Sequence, residues 1–456
     1  MQSHYSKEEI LNLDKKYIWH PAAQMSDYED FPPVAVTKGE GAYLYTPDGK
    51  KILDIISSWW CNLLGHCQKD IVKSLCDQAS ELEHVIFANF THPYATSLCE
   101  RLVKILPSGL CRFNFADNGS SAVEMSLKIA FQYQRQIGKT QKQKFACLTE
   151  GYHGETIGAL SVGSMDLYNK IYKPMMMDNI HIKAPDCFRC PYGKKRDNCD
   201  CPCIKDAYET FEKYGECLAA LIVEPLLQGA AGMRIYPVKY LQALKALCVK
   251  HKVLLIADEI ATGFGRTGEM FACTKASISP DIMVLSKAIT GGFMPMSVVC
   301  TTEEIYAAFL GSYESGKAFM HSHTYAGNPL ACACANAVLD VLKRDDILQK
   351  AKLLAPVVNR LFKETFMDIE NVGEVRQIGL INAIELVKDR ESKEAFSPSC
   401  RLGYKIYQSA LSQGLLLRPI GDVLYFNPPL NIELADIKKA LNIARNAITG
   451  ELAKLS

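Results

Sequence analysis

Two short apolar runs, each followed by a charged residue, constrain the fold of this chain most strongly. The first run, residues 253–257, is followed directly by Asp258, and the second, residues 282–285, ends two positions before Lys287. Continuous apolar runs of this length are typical of strands buried on both faces of a parallel sheet. In open α/β sheets, ligands bind at the carboxyl ends of such strands. The pattern therefore predicts an α/β fold with Asp258 and Lys287 at the ligand-binding edge.

An aspartate and a lysine at this edge suit one cofactor in particular, pyridoxal phosphate (PLP). A lysine amine can bond covalently to the aldehyde of PLP, and a carboxylate facing the pyridine nitrogen keeps that nitrogen protonated, which makes the ring an electron sink. Lys287 and Asp258 supply both groups. The alternative interpretation is a surface lysine after a core strand, and the spacing alone does not decide between the two.

The residues around this pair resemble one enzyme family. The segments ADEIATGFGRTG and SKAITGG place the acid, a glycine-rich turn, an arginine and the lysine in the order found in the class-III (omega) aminotransferases of PLP fold type I. The resemblance implies that Asp258 pairs with the ring nitrogen and that Ile260 packs on one ring face. It also implies that Lys287 holds the cofactor, contacts the substrate and is the catalytic residue. The implied fold is a large, mainly parallel α/β domain with a smaller α+β domain.

Length and composition predict a two-lobed cytoplasmic enzyme. A chain of 456 residues exceeds what one hydrophobic core usually holds. We expect residues 1–65 to contribute to the small domain and the active site, residues 66–330 to form the large PLP-binding domain, and residues 331–456 to form the C-terminal small domain. A net charge of +1 argues against a nucleic-acid partner. The N-terminus does not resemble a signal peptide, and no apolar run is long enough to span a membrane. Eighteen cysteines without a secretion signal indicate reduced thiols in a cytosol.

A predicted strand–helix junction is the candidate phosphate site. A strand at residues 111–116 runs into a turn of small residues and then a helical pattern. Free backbone N–H groups and the helix dipole at such a junction favour an anion. The alternative is a helix N-cap by Ser120 or Ser121. In the family, a glycine and the next serine bind the PLP phosphate, which implies Gly119 and Ser120.

Other cofactor contacts follow from the resemblance alone. Tyr152 stands where the family has an aromatic residue on the pyridine ring, and it is also predicted to contact the substrate. Thr324 matches the threonine that binds the PLP phosphate of the neighbouring subunit, although a turn hydroxyl is the alternative. Ser322, in the same segment, is predicted to contact the substrate. The resemblance therefore implies a homodimer whose active sites are shared across the interface.

A tryptophan and an arginine are the candidates for binding the substrate. Trp59 is the first of two adjacent tryptophans and would form a flat apolar wall, while a pair of core aromatics is the alternative. Arg418 lies between two predicted strands, where its guanidinium could clamp a substrate carboxylate or form an exposed salt bridge. In the family these two positions line the substrate site.

Three segments narrow the resemblance within the class. Trp-His-Pro at residues 19–21, Ser-Ser-Trp-Trp and Gly-Phe-Gly-Arg-Thr-Gly together resemble the members that aminate 8-amino-7-oxononanoate in biotin biosynthesis. The amino donor implied is S-adenosylmethionine or, because Ala22 and the segment of residues 321–324 depart from the usual pattern, lysine. Two alternatives stay open: another omega-amino acid or diamine aminotransferase, and a non-catalytic regulator with a PLP fold.

A cysteine-rich segment and two glutamates have no assigned role. The spacing CxxC followed by CxCxC could hold zinc or an iron–sulfur cluster, or it could be a loop with reduced thiols. We assign no metal to the protein. Glu155 and Glu224 follow predicted strands, and their functions are open. The cysteines are Cys187, Cys190, Cys199, Cys201 and Cys203.

Overall fold

The structure is a computed structural model that describes residues 5–455. The strands are β1 (Lys38–Glu40), β2 (Tyr43–Tyr45), β3 (Lys51–Asp54), β4 (Leu110–Ala116), β5 (Lys144–Leu148), β6 (Ile180–Ile182), β7 (Leu218–Val223), β8 (Leu227–Gln228), β9 (Arg234–Ile235), β10 (Leu254–Asp258), β11 (Ile282–Leu285), β12 (Ser297–Thr302), β13 (Val372–Ile378), β14 (Ile381–Leu386), β15 (Leu415–Leu416) and β16 (Val423–Phe426). The helices are α1 (Lys7–Tyr17), α2 (Ser57–Trp60), α3 (Lys69–Glu81), α4 (Pro93–Val103), α5 (Gly119–Gln136), α6 (Ile157–Ser161), α7 (Asp166–Asn169), α8 (Lys205–Tyr214), α9 (Val238–His251), α10 (Ala272–Lys275), α11 (Glu303–Ala308), α12 (Pro329–Arg344), α13 (Ile347–Phe366), α14 (Leu402–Ser412) and α15 (Leu434–Leu452).

The apolar runs of the sequence form one seven-stranded sheet in the order β4-β12-β11-β10-β7-β5-β6. β12 runs antiparallel to both of its neighbours, and the other adjacent pairs are parallel. β7 and β11 are buried at every position, which explains why their sequences show no alternation of apolar and polar residues. Asp258 is in register with Val284. The ends of β10 and β11 therefore lie side by side, and Asp258 and Lys287 are at one edge of the sheet, as predicted.

Helices cover both faces of this sheet. On one face, α5 packs against β4, β7, β10, β11 and β12, with its buried side chains in one apolar cluster. On the other face, a larger cluster includes α9, α12 and α13 and continues into the C-terminal part of the chain. The ligand-binding edge of the sheet is thus held between two packed layers, which fixes the side chains that it carries.

Two smaller sheets lie outside the seven-stranded sheet, and the first of them joins the beginning and the end of the chain. β1, β2 and β3 form an antiparallel sheet that β15 extends in parallel, with Leu415 opposite Leu53. A second antiparallel sheet has the order β13-β14-β16. The domain boundaries at residues 65 and 330 stay a prediction. Within residues 5–455, the structure has no helix that is both long enough and apolar enough to cross a membrane.

Candidate active site

Lys287 presents a free amine at the edge of the sheet. Its side chain is half-buried, and its Nζ lies 5.1 Å from the centroid of the Trp60 ring. Within the described part of the chain, this amine has neither a hydrogen bond nor an ion pair. Burial lowers the pKa of Lys287, although Asp258 and Glu224 act in the opposite direction. A lowered pKa raises the fraction of neutral amine, which is the nucleophilic form.

Asp258 is held in place by a histidine that the sequence analysis did not assign. The carboxylate is buried, with Oδ2 at 2.7 Å from Nδ1 of His153, and Oδ1 accepts the backbone N–H of Ile260 at 3.1 Å. Because a carboxylate only accepts, the Nδ1 of His153 must carry the proton. His153 directly follows the predicted Tyr152, and this adjacency is the signal that could have identified it.

The predicted phosphate site lies at the start of α5. Asn118 caps this helix, and its side chain accepts the N–H of Ser121 at 3.0 Å, so the alternative N-cap by Ser120 or Ser121 is wrong. A Cβ added to Gly119 would stand 2.9 Å from Cδ1 of Ile260, which shows that these two predicted residues are in contact. In residues 5–455, the N–H groups of Gly119 and Ser120 have no acceptor. Two free N–H groups at a helix N-terminus fit a phosphate.

Two glutamates orient Tyr152. The Tyr152 hydroxyl donates to Oε1 of Glu155 at 2.8 Å, and its backbone N–H donates to Oε2 of Glu224 at 3.1 Å. Glu224 also accepts the N–H of Gly229 at 3.0 Å. Burial raises the pKa of Glu224 to about 7. The two acids without an assigned role therefore hold the side chain and the backbone of the predicted ring-stacking residue.

The two tryptophans connect the lysine to the arginine. Trp60 is buried and donates from Nε1 to the Tyr425 hydroxyl at 3.0 Å, while Trp59 is 45% exposed. The guanidinium carbon of Arg418 lies 4.4 Å from the centroid of the Trp59 ring. Lys287 thus contacts one tryptophan and Arg418 the other. The core alternative fits Trp60, whose position beside Lys287 the sequence analysis missed, and not Trp59.

Arg418 has no carboxylate partner in residues 5–455. Its one hydrogen bond in this part of the chain goes from Nη2 to the carbonyl oxygen of Ala22, at 3.1 Å. The alternative of an exposed salt bridge is therefore not observed. The remaining N–H donors of the guanidinium stay available for a substrate carboxylate.

The tryptophan pair lies in the short element α2, whose four residues form a strained left-handed turn and not a regular helix. Ser57, Ser58, Trp59 and Trp60 have φ angles of 50°, 43°, 78° and 73°. The left-handed conformation costs roughly 1–2 kcal/mol for each residue other than glycine. Four such residues in succession persist only where the surrounding contacts determine them.

The segment with Ser322 and Thr324 lies at the surface of the protomer. Both side chains are exposed, and within residues 5–455 the Thr324 hydroxyl has no hydrogen-bond partner. Between them, Nδ1 of His323 lies 2.7 Å from Oδ2 of Asp117, two residues before α5. His323 therefore fixes the segment near the helix that carries Gly119, and both predicted hydroxyls lie at the surface.

The cysteine-rich segment borders a cavity of about 460 Å³. Burial raises the pKa of Cys187 and Cys201 to about 12. In the described part of the chain, no group of three or more His, Cys, Asp or Glu residues is arranged to hold a metal ion. The cysteines that line the cavity are Cys187, Cys190, Cys199 and Cys203.

Comparison with known proteins identifies the family. Residues 24–448 match the family Aminotransferase class-III. A relative from Geobacter sulfurreducens, named adenosylmethionine-8-amino-7-oxononanoate aminotransferase, is 42% identical over 438 residues, which are 95% of this chain and 96% of the relative. This chain belongs to the class-III aminotransferases. The aminotransferase therefore uses PLP, as predicted.

Solved structures confirm the predicted fold of the aminotransferase. The structure of adenosylmethionine-8-amino-7-oxononanoate aminotransferase from Methanocaldococcus jannaschii gives a TM-score of 0.92 at 35% identity, covering 98% of this chain and 99% of that chain. An omega transaminase from Pseudomonas jessenii in complex with PMP gives 0.92 at 27% identity, covering 97% and 98%. The large, mainly parallel sheet agrees with PLP fold type I.

The residues of the aminotransferase fit its cofactor. The free amine of Lys287 suits the aldehyde, and the buried carboxylate of Asp258 suits a protonated ring nitrogen. The free N–H groups of Gly119 and Ser120 suit the phosphate. The aldehyde, the ring nitrogen and the phosphate of PLP thus each have a complementary group at the same edge of the sheet.

Proposed function

We propose that this aminotransferase transfers an amino group to the ketone of 8-amino-7-oxononanoate, giving 7,8-diaminononanoate in biotin biosynthesis. The proposal is supported by relatives named adenosylmethionine-8-amino-7-oxononanoate aminotransferase, which are 34% to 42% identical to this chain. It is also supported by the chemistry of the groups around Lys287 and Arg418. The donor proposed first is S-adenosylmethionine, which the names of these relatives include.

The observation that carries the proposal is the apolar wall between a reactive amine and an unpaired guanidinium. Trp60 contacts Lys287, and Trp59 contacts Arg418. The proposed substrate has the matching order of groups, with a ketone near one end, an apolar chain and a terminal carboxylate. Arg418 would bind the carboxylate through two parallel N–H donors, and Trp59 would cover the chain.

The roles proposed for the remaining residues follow from their chemistry. Lys287 would hold PLP, and Asp258, oriented by His153, would face the ring nitrogen. Gly119 and Ser120 would bind the phosphate. The residues proposed for the two ring faces are Tyr152 and Ile260. Bound PLP supplies an electron sink that stabilises negative charge at the carbon that loses a proton.

Lys287 is the residue proposed to move protons. Once its amine is free, Nζ can take a proton from the carbon that bears the donor amine and deliver it within the site. The burial that lowers the pKa of Lys287 favours the neutral form that this step needs. In the second half of the reaction, the same amine would return a proton to the carbon of the former ketone.

Substitution of Arg418 tests the proposal directly. In Arg418→Met, we expect the KM for 8-amino-7-oxononanoate to rise about 10- to 100-fold, because a charged hydrogen-bonded pair contributes about 1.5–3 kcal/mol. Arg418→Lys should recover part of the loss, since lysine keeps the charge but not the planar fork. Arg445→Met is the matched control, because Arg445 already pairs with Asp368. An unchanged KM in Arg418→Met would contradict the proposal.

The amino donor requires a separate experiment. Ala22 and the segment of residues 321–324 depart from the pattern of the enzymes of this type that use S-adenosylmethionine, which keeps lysine as the second donor. Single-turnover conversion of the PLP form by each donor, followed in the visible spectrum, would distinguish them. Conversion by S-adenosylmethionine alone would exclude lysine.

We further propose a cytoplasmic homodimer. The exposed hydroxyl of Thr324, which has no partner in residues 5–455 of its own protomer, would bind the phosphate in the neighbouring subunit. Ser322 would contact the substrate from the same segment. A dimer of this kind makes two complete sites from two incomplete ones.

A second candidate is the transamination of another omega-amino acid or diamine. The favouring observation is the likeness to solved omega transaminases, such as the one from Pseudomonas jessenii. Comparing keto acids and aldehydes as amino acceptors would separate the candidates. A preference for acceptors without a terminal carboxylate would favour the second. Membership of the aminotransferases argues against the non-catalytic alternative.

A further inference from the structure

The strained turn that carries both tryptophans is held by one buried carboxylate. Asp54, at the end of β3, is 1% exposed. Its Oδ1 accepts the backbone N–H groups of Ile56 at 3.2 Å and Ser58 at 3.1 Å. Its Oδ2 accepts the Ser58 hydroxyl at 2.6 Å and lies 2.9 Å from Nε2 of His66. Four donors thus converge on one side chain, and three of them belong to the turn or to the residue before it.

The arrangement around His66 fixes the ionised form of Asp54. The Nδ1 of His66 lies 2.7 Å from the side-chain nitrogen of Asn62, which can only donate, so Nε2 of His66 carries the proton that faces Asp54. Burial alone would raise the pKa of Asp54, but the hydrogen bonds from His66 and Ser58 outweigh it and hold the pKa below its ordinary value. Asp54 is therefore an acceptor for every one of its partners.

The opposite side of the turn is held by groups that donate to carbonyl oxygens. Arg266 is 1% exposed and donates from Nη2 to the carbonyl of Trp60 at 3.1 Å. The Ser57 hydroxyl donates to the carbonyl of Asn427 at 2.8 Å. Ser57 thus ties the first residue of the turn to the C-terminal part of the chain, Asp54 holds Ser58, and Arg266 holds the last residue, Trp60.

We infer that Asp54 is a positioning residue for substrate recognition, because its carboxylate fixes the left-handed turn that sets Trp59 beside Arg418 and Trp60 beside Lys287. The inference rests on the proposed function for its substrate, a long-chain keto acid. Without these acceptors, the N–H groups of the turn lose the contacts that offset its strain. The turn would then relax toward the right-handed region, and Trp59 would leave Arg418.

Asp54→Asn tests the inference with little change in volume. An amide offers one acceptor oxygen instead of two, so it cannot satisfy all four donors. We expect the KM for the keto acid to rise about tenfold, which corresponds to about 1.4 kcal/mol. The half-reaction with the amino donor should change less, because Lys287 and Asp258 are fixed by β11 and β10.

A double-mutant cycle separates this role from general loss of stability. If Asp54 acts through Trp59, then Asp54→Asn should have little further effect on KM in a Trp59→Ala background. Asp281→Asn is the matched control, because Asp281 accepts a backbone N–H from Leu255 near the other end of β10, at 2.7 Å. Its effects should add to those of Trp59→Ala. Additive effects of Asp54→Asn and Trp59→Ala would overturn the inference.

Tryptophan fluorescence gives a measurement that does not depend on the substrate. The chain has three tryptophans, and Trp19→Phe with Trp59→Phe leaves Trp60 alone. In the holoenzyme with this background, Asp54→Asn should increase acrylamide quenching of Trp60, whereas Asp281→Asn should not. Unchanged quenching would overturn the inference. If the wild-type protein did not aminate the keto acid, the proposed function would fail, but quenching would still decide whether Asp54 holds the turn.

Discussion

Lys287 combines two properties that a covalent site for an aldehyde needs. Burial lowers the pKa of its amine, and within the described residues no acidic group neutralises it by direct contact. Lys275 offers a useful comparison, because burial also lowers its pKa, but its amine donates to the carbonyl of Thr267 at 2.9 Å. A lowered pKa is therefore not enough by itself. The amine must also be free to react.

The first prediction concerns this difference between two lysines. In Lys287→Met, we expect borohydride treatment to leave no PLP covalently attached, and the transamination rate to fall by at least about a thousandfold, since the covalent and proton-transfer roles are lost together. In Lys275→Met, borohydride treatment should still attach PLP covalently to Lys287. Peptide mass spectrometry after reduction locates the label. A labelled Lys287→Met variant would refute the assignment.

Glu224 is the residue for which a pH dependence can be stated. Burial raises its pKa to about 7, compared with 4.5 for the unperturbed group. The folded state therefore binds its proton more tightly than the unfolded state does. This contribution to stability is complete below pH 4.5 and is lost as the pH rises toward 7, up to about 3 kcal/mol in all.

The second prediction concerns this loss of stability with rising pH. Between pH 5 and 7.5, the unfolding temperature of the wild-type protein should fall more steeply than that of Glu224→Gln, because an amide does not titrate. Glu224→Gln also loses one acceptor for the N–H groups of Tyr152 and Gly229, which lowers its unfolding temperature at every pH. The comparison therefore uses the change of the unfolding temperature with pH, not the unfolding temperature itself. Calorimetry at saturating PLP measures it. Glu212→Gln, an exposed control, should keep the wild-type slope.

At the scale of elements, the start of α5 is shaped by a glycine from another segment. Gly154 has a φ of +122°, and a Cβ added to it would stand 2.0 Å from Oγ of Ser120. The chain after Tyr152 can therefore pass close to the predicted phosphate site only because residue 154 lacks a side chain. The Ser120 hydroxyl also accepts the N–H of Glu155 at 3.1 Å, which joins the two segments.

The third prediction uses this close approach. Gly154→Ala should displace Ser120 and reduce the affinity for PLP about tenfold or more, because the two free N–H groups at the helix start lose their geometry. Gly109→Ala is the control, with a φ of +93° and no atom within 4 Å of the added Cβ. It should cost roughly 1–2 kcal/mol of stability without a change in affinity. Equilibrium titration with PLP measures both variants, and equal affinities would exclude the steric argument.

The elements were predictable from the sequence where local pattern determines them. β11 coincides with the predicted apolar run, because a strand buried on both faces has no polar positions to interrupt it. A helix was also predicted after the turn at residues 117–121, but it begins earlier, at Gly119. Its capping residue was not predicted, since several residues in that turn can cap and local geometry selects Asn118.

The contacts between distant segments were not predictable in this way. His153 and Asp258 are 105 positions apart, and Trp60 and Tyr425 are 365 apart. Spacing carries no signal over such separations, because the sheet order and the turns decide which strand ends meet. The left-handed conformation of residues 57–60 was likewise hidden, since none of the four is glycine, the residue that usually indicates it.

At the scale of the whole molecule, the predicted site residues lie in two different regions of the protomer. Lys287, Asp258 and Gly119 lie at one edge of one sheet, whereas Thr324 and Ser322 lie on the surface. His323, which lies between them, fixes their segment through Asp117. The hydroxyls of Ser322 and Thr324 are exposed and have no hydrogen-bond partner within residues 5–455. This agrees with the proposed dimer, in which each chain supplies hydroxyls to the other.

The final prediction tests this sharing by complementation. Lys287→Ala lacks the catalytic amine, and Thr324→Ala should lose most activity at limiting PLP, because its phosphate contact is missing. If Thr324 acts across the interface, a mixed dimer of the two variants contains one site with an intact Lys287 and an intact Thr324. Mixing equal amounts, with subunit exchange, should then restore roughly one quarter of the wild-type activity.

The same mixture discriminates against a contact within one chain. If Thr324 served its own protomer, each site in the mixed dimer would lack either the lysine or the threonine, and no activity would return. A mixture of Lys287→Ala with the double variant Lys287→Ala, Thr324→Ala controls for exchange, and it should stay inactive. Activity can return only if Lys287 of one chain and Thr324 of the other form one site. Recovery would therefore establish the homodimer as a condition for binding the cofactor. Absence of recovery would assign the phosphate to the residues of one protomer.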